Sequence, residues 1–285
     1  MTLTLSVATI SLNGCLNDDD VFDTQAQFNE DIRIIDQYLD ENGISARIDD
    51  ITDIRYVVHD QGTGLQPFMP FVQIDSVTLS YVGTVMETGA EFDRVDNQKR
   101  VSTSLISGVL AGISLIQEGG SITAYIPSFY GFGNTEVDGI ARNSVLIAEI
   151  EFDQLHDRQL RREIQAIDDS LADMAFTATE HPTGIRLRLN QTGGGASPRF
   201  NDVIRVNYEG RLFGETSSFD SGQDVGFILN GNLIPGWIVV LREMSVGESV
   251  TMYLPASFGF GSRGSAPDIP PNANLEFDVE LISVN

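Results

Sequence analysis

Tyr208, Phe219-Asp220, Phe227, the run Leu233-Ile234-Pro235-Gly236-Trp237, Phe260, Ile269 and Phe277 follow one another in the last third of the chain, with strand-like and turn-rich segments between them. Most chains bury a lone Trp in a core, so Trp237 alone means little. With five other rings at ordered intervals it describes an aromatic pocket. Such a pocket desolvates an apolar group, and Asp220 is the ionisable side chain in the set.

Other chemistries fail on context. Gly259-Phe260-Gly261-Ser262-Arg263-Gly264 satisfies G-x-G-x-x-G, but a nucleotide fingerprint must open a helix, and Ile269-Pro270-Pro271 follows too soon for one. Gly193-Gly194-Gly195 has no Lys-Ser/Thr behind it and reads as a hairpin or loop. Ser, His and Asp occur without triad spacing or a nucleophile elbow. Cys15 is the only cysteine, and His59, His156 and His181 are scattered without ligand spacing, so neither a disulfide nor a metal site is expected, nor any cofactor. Seventeen basic against 41 acidic residues give a net charge of −24, with no basic stripe to hold a phosphate backbone; nucleic acid is not an expected partner.

The elements that must position the pocket recur. Ser121 to Gly133 lines up with Ser249 to Gly261 at an offset of 128 residues, Tyr81-Val82-Gly83 and Phe92-Asp93 match Tyr208-Glu209-Gly210 and Phe219-Asp220 at 127, and Leu105 to Gly108 matches Leu233 to Gly236 at 128. The period is a whole domain, which excludes a solenoid. Within each copy the apolar period is two. Ile204, Val206 and Tyr208 share one face, and Leu275, Phe277, Val279 and Leu281 alternate with acids, as in half-buried antiparallel strands. Gly236 to Met244 reads as a short helix with Trp237 and Leu241 on one side. Each copy is preceded by a helical stripe, Ile32-Ile35-Leu39 and Ile164-Ile167-Leu171; Asn42-Gly43 closes the first and His181-Pro182-Thr183-Gly184 stops the chain after the second. These helices pack on their own domains or form a dimerising stalk.

Asn207-Tyr208-Glu209-Gly210, Phe219-Asp220-Ser221, Leu233 to Trp237, Met244 to Glu248, Ile269-Pro270-Pro271 and Leu275 to Leu281 together resemble the FKBP-type peptidyl-prolyl cis-trans isomerases over roughly residues 183–285. The resemblance implies an α+β fold of two tandem domains, each an antiparallel sheet wrapped over a short helix. It also implies a pocket in which Trp237 is the floor, Tyr208, Phe227, Phe260 and Phe277 are walls, Phe219, Leu233 and Ile269 belong to the same site, and Ile234 offers its N–H to a substrate carbonyl. Asp220 orients without transferring a proton. Proline-containing polypeptides are the expected partners and a macrolide a candidate ligand, although Phe260 stands where the family more often has Tyr. Oligomeric state is not legible. The N-terminal copy keeps Tyr81, Phe92, Asp93, Ile106 and Phe132 but has Val109 at the floor and Ala148 opposite Phe277, so it is expected to have lost most or all activity. A peptide-binding or chaperone-like role without useful turnover is the alternative for the whole.

Met1 to Gly14 is mostly small and apolar, Leu12-Asn13-Gly14-Cys15 resembles a lipobox, and Leu16-Asn17-Asp18-Asp19-Asp20 turns acidic at once. No Lys or Arg precedes the apolar run. Two readings follow: Cys15 is lipidated in an exported protein of the cell envelope, held at the outer membrane or cell surface by that anchor alone, or it is a buried thiol. The expected division is 1–20 signal and acidic tether, 21–156 degenerate domain, 157–182 helical linker and 183–285 isomerase domain.

Overall fold

The computed structural model describes residues 23–68, 71–137 and 139–285; Cys15 and the segment around it lie outside the described residues. The first half runs α1 (Thr24–Glu41), β1 (Arg47–Ile48), β2 (Arg55–Asp60), β3 (Ser76–Val85), β4 (Glu91–Val101), α2 (Ser107–Ile113), β5 (Gly120–Ile126) and β6 (Leu146–His156). The second repeats it with α3 (Arg158–Asp173), β7 (Thr179–Glu180), β8 (Arg186–Gln191), β9 (Val203–Leu212), β10 (Ser218–Ile228), α4 (Pro235–Glu243), β11 (Ser249–Leu254) and β12 (Leu275–Val284). The sheets are six-stranded and antiparallel, ordered β1-β2-β5-β6-β3-β4 and, read from the other edge, β7-β8-β11-β12-β9-β10. One topology is used twice, as the sequence repeat requires.

Strict alternation of buried with more exposed residues along most of β3 and β12 is the physical counterpart of the period of two. The buried face of each sheet closes over its short helix. Helix α4 is buried from Gly236 to Leu241 on every side, which its wholly apolar run permits, and Pro235 starts it where a missing N–H costs nothing. Helix α1 ends as expected, with Asn42 as its cap and Gly43 in the left-handed region at φ +63°. Helix α3 ends at Asp173, ahead of His181-Pro182, because its apolar stripe stops at Leu171. His181 to Gly184 instead makes a separate turn leading into β8.

The two long helices are anchored to their own sheets by matching devices. Ile35 and Leu39 pack on Tyr125 and Val145, and Ile167 and Leu171 on Tyr253. Asp31 accepts from the Ser128 N–H at 2.8 Å and Oγ–H at 2.5 Å, and Glu163 accepts from the same atoms of Ser257 at 2.9 and 2.7 Å. Asp36 and Asp168 each take a two-pronged contact from a buried arginine, Arg55 at 2.8 and 2.9 Å and Arg186 at 2.7 and 2.8 Å.

Candidate functional site

In the C-terminal half the β-sheet, helix α4 and the loops at one end of the sheet bring the aromatic residues together. Ile234 caps α4 in extended conformation, so the third residue on, Trp237, points from the first turn toward the sheet. Its ring is 5 % exposed and is met edge-on by Tyr208 at 5.2 Å, Phe227 at 5.5 Å and Phe277 at 5.5 Å. Phe219 joins through Phe277 at 5.7 Å. Such T-shaped contacts place ring edges on ring faces, each worth roughly 0.5–1.5 kcal/mol beyond area burial. The indole N–H is buried and has no acceptor among the described residues.

Strand register explains who faces whom. Phe277 on β12 sits opposite Gly210 on β9, and Gly210 is opposite Asp220 on β10. A Cβ at Gly210 would stand 2.4 Å from the Phe277 ring and 2.9 Å from Phe219, so only glycine lets both rings lie across the strand. At the rim the Tyr208 hydroxyl donates to Asp220 Oδ2 at 3.0 Å, and burial first, then that carboxylate, pushes the phenol above its usual range. Leu233, Ile234 and Phe260 are half-buried against the same core, and Ile269 is buried in it, paired with Ser265 in the loop before β12. Phe260 makes none of the ring contacts to Trp237.

The N-terminal half holds the matching positions in the same register. Gly83 lies between Ala148 and Asp93, as Gly210 lies between Phe277 and Asp220. The Tyr81 hydroxyl donates to Asp93, and burial with that carboxylate drives this phenol far above its usual range. Val109 is the third residue after the α2 cap Ile106, the place Trp237 has after Ile234. Phe92 and Phe132 meet edge-on at 5.5 Å. A further difference escaped the motif comparison. Arg100 faces Val77 as Phe227 faces Ile204, so an arginine replaces a wall ring. Its Nε is buried with no partner among the described residues. The offset of 127 that matched Tyr81 to Tyr208 would have found it.

The family model for FKBP-type peptidyl-prolyl cis-trans isomerase matches residues 71–153 and 194–282. The FKBP-type 22 kDa peptidyl-prolyl cis-trans isomerase of Escherichia coli K12 is 34% identical over 124 residues, covering 42% of this chain and 59% of that protein. The chain thus spans less than two thirds of that relative's length. FK506-binding protein 1 of Eremothecium gossypii is 40% identical over 103 residues, 34% of this chain and 90% of that one. Among solved structures, the peptidyl-prolyl cis-trans isomerase of Pseudomonas syringae pv. tomato DC3000 is similar at 28% identity and a TM-score of 0.39, covering 45% of this chain and 98% of its own. The family match falls once on each six-stranded sheet and takes in both sets of register-matched residues, and the chain belongs to the FKBP-type peptidyl-prolyl cis-trans isomerase family in two tandem copies.

Proposed function

We propose that the C-terminal domain isomerises Xaa-Pro bonds in polypeptide clients, and that Tyr208, Phe219, Asp220, Phe227, Leu233, Ile234, Trp237, Phe260, Ile269 and Phe277 form its site. The carrying observation is the buried Trp237 ring with three aromatic rings edge-on around it. An amide resists twisting by about 18–20 kcal/mol because the planar form has partial double-bond character. The twisted form has lost that resonance and some of its charge separation, so a dry aromatic pocket disfavours the planar ground state relative to it. The prolyl ring would lie on Trp237 and the preceding carbonyl would take the Ile234 N–H. Asp220, held by Tyr208, supplies a fixed charge near the twisting bond and transfers no proton.

The expected outcome is that the full chain accelerates isomerisation of a proline peptide and that Trp237→Ala lowers the catalysed rate by more than tenfold with circular dichroism unchanged. A folded wild-type chain that binds the peptide but leaves the uncatalysed rate intact would replace the isomerase with the peptide-binding, chaperone-like reading. A macrolide is the proposed competing ligand, on the strength of the aromatic floor and the relative named for binding FK506.

The proposed setting is the cell envelope, where the protein would assist folding of exported clients from a lipid anchor at Cys15. Leu12 to Cys15 supports this, and no helix among the described residues is long and apolar enough to cross a membrane. One acyl chain holds a protein only marginally, at about 10⁴ M⁻¹, so stable anchoring requires several. Labelled palmitate should enter the full-length product and be lost in Cys15→Ser; label retained in that variant rejects the anchor.

A further inference from the structure

Between β2 and β3 the N-terminal half sends a segment, Gln61 to Phe68 and Phe71-Val72, against the C-terminal half. The Phe68 ring stacks on Phe258 at 6.4 Å and 27°. Phe258 is 1 % exposed and closes the 3-10 turn that precedes Phe260. The Phe71 ring packs on Phe200 at 5.9 Å and lies over Gly231, where a Cβ would come within 3.0 Å of it. Gly231 belongs to the turn that delivers Leu233 and Ile234, closed by the Leu233 N–H on the Asn230 carbonyl at 3.0 Å. From the β1–β2 turn, Asp50 pairs with Arg242 near the end of α4 and accepts the Phe200 N–H at 3.2 Å. The Gln66 N–H donates to the Pro182 carbonyl at 2.9 Å, joining the same segment to the chain entering β8.

Three of these contacts end on elements that carry the pocket, Phe71 on the turn before Ile234, Asp50 on helix α4 that carries Trp237, and Phe68 on the 3-10 turn before Phe260, while the others end on Phe200 and Pro182. Beside the Asp50–Arg242 pair lies a cleft of about 1040 Å³ lined from both halves, by Asp49, Asp53, Arg199 and Glu243 among others. Elsewhere the halves share one continuous apolar core and an ion pair from Arg161 to Glu118 at 2.6 Å, so Asp50, Phe68 and Phe71 are set apart by where their contacts end, on the elements that carry the pocket. We propose that the N-terminal domain is a clamp on the C-terminal pocket, with Asp50, Phe68 and Phe71 as positioning residues that fix the Ile234 N–H, the Trp237 floor and the Phe260 wall relative to one another. This rests on the reading of the C-terminal site as the isomerase. It gives a use to a copy whose own pocket has lost its floor ring: its core serves as the rigid base from which the clamp is held.

The test uses the full chain and the fact that Trp237 is the sole tryptophan, so its emission reports the pocket floor alone. Asp50→Arg and Phe71→Ala should each lower kcat on a proline peptide by roughly three- to tenfold, leave KM within about twofold, and shift the Trp237 emission with circular dichroism unchanged, since small misplacements of positioned groups cost rate more than binding. Combining Asp50→Arg with Arg242→Asp restores the ion pair with its charges exchanged and should recover at least half of the lost rate, which a merely destabilised domain would not do. Arg33→Ala on the outer face of α1 is the unaffected control. An active wild type whose Asp50 and Phe71 variants keep kcat and emission overturns the clamp; should Phe71→Ala unfold, Phe71→Leu and the Asp50 pair decide by the same criteria. A wild type without activity sinks the isomerase reading instead, and the emission then decides the clamp: unchanged emission in Asp50→Arg rejects it, a shift reversed by the charge exchange upholds it.

Discussion

The family resemblance sets Phe260 where tyrosine is more usual, and Phe260 is half-buried against the core; in the proposed site a hydroxyl at this position would face a bound ligand. One additional hydrogen bond is worth about 0.5–1.5 kcal/mol net. Phe260→Tyr should therefore tighten a macrolide of the FK506 type about two- to tenfold by calorimetry, and should leave proline-peptide turnover within about twofold. Weaker or unchanged macrolide binding in a folded variant would show that position 260 does not reach the ligand. At this scale the sequence was informative where residue type and order coincide. Tyr208, Phe227, Trp237 and Phe277 stand in a fixed order, and the structure gathers the other three rings around Trp237. Arg100 was not legible by type, because a charged residue in a strand ordinarily marks the solvent face; only the register shows it in the place of Phe227. The unpaired Trp237 N–H has no sequence signal at all, since it depends on which neighbours close over it.

Elements were easier to read than their fastenings. The three-to-four apolar spacing predicts α1 and α3, and the period of two predicts β9 and β12, because burial of one face is what both patterns encode. The acids that bolt the helices down carry no sequence signal of burial, since an acid on a helix is ordinarily solvated. Asp31 is in fact fully buried and Glu163 7 % exposed, each inside a hydrogen-bond pair from the serine that opens the 3-10 turn after β5 or sits within the one after β11. Asp31 and Glu163 directly precede Ile32 and Ile164, so the helix repeat itself marks them as equivalent. Glu163 accepts the Ser257 N–H and Oγ–H on one oxygen and Gln159 on the other. Glu163→Gln keeps the shape but weakens two charge-assisted bonds and brings a donor toward a donor, at a cost of about 1–3 kcal/mol. The melting temperature should fall by about 2–6 °C, while Glu30→Gln on the exposed face of α1 should change it by less than a degree or so. Equal effects of the two would mean that the buried acceptor contributes nothing to holding α3 on its sheet.

Duplication gives the molecule an internal control, because two sites share register, backbone and rim hydrogen bond and differ in three side chains: Arg100 for Phe227, Val109 for Trp237 and Ala148 for Phe277. The consequence is visible in the tyrosines. Tyr81 is 4 % exposed, whereas Tyr208 is only half-buried and edge-on to the Trp237 ring, and the position matching Trp237 carries the aliphatic Val109. Truncations from a large aromatic to a small side chain cost about 3–5 kcal/mol in packed sites, and half of that range in a transition state already exceeds a tenfold rate loss. The same substitution made at twin positions should therefore have different effects. In the C-terminal site Tyr208→Phe frees Asp220 from its donor, at about 0.5–1.5 kcal/mol, and kcat/KM of the full chain should fall two- to tenfold. Tyr81→Phe removes the equivalent donor from Asp93 and should leave kcat/KM within about 1.5-fold. Both phenols have pKa values raised above the ordinary range, so the donor is present throughout neutral pH and is lost only as pH climbs past that range; neither effect should vary between pH 6 and 9. A loss of turnover in Tyr81→Phe as large as in Tyr208→Phe, with both variants folded, would mean that the N-terminal copy catalyses despite its missing rings.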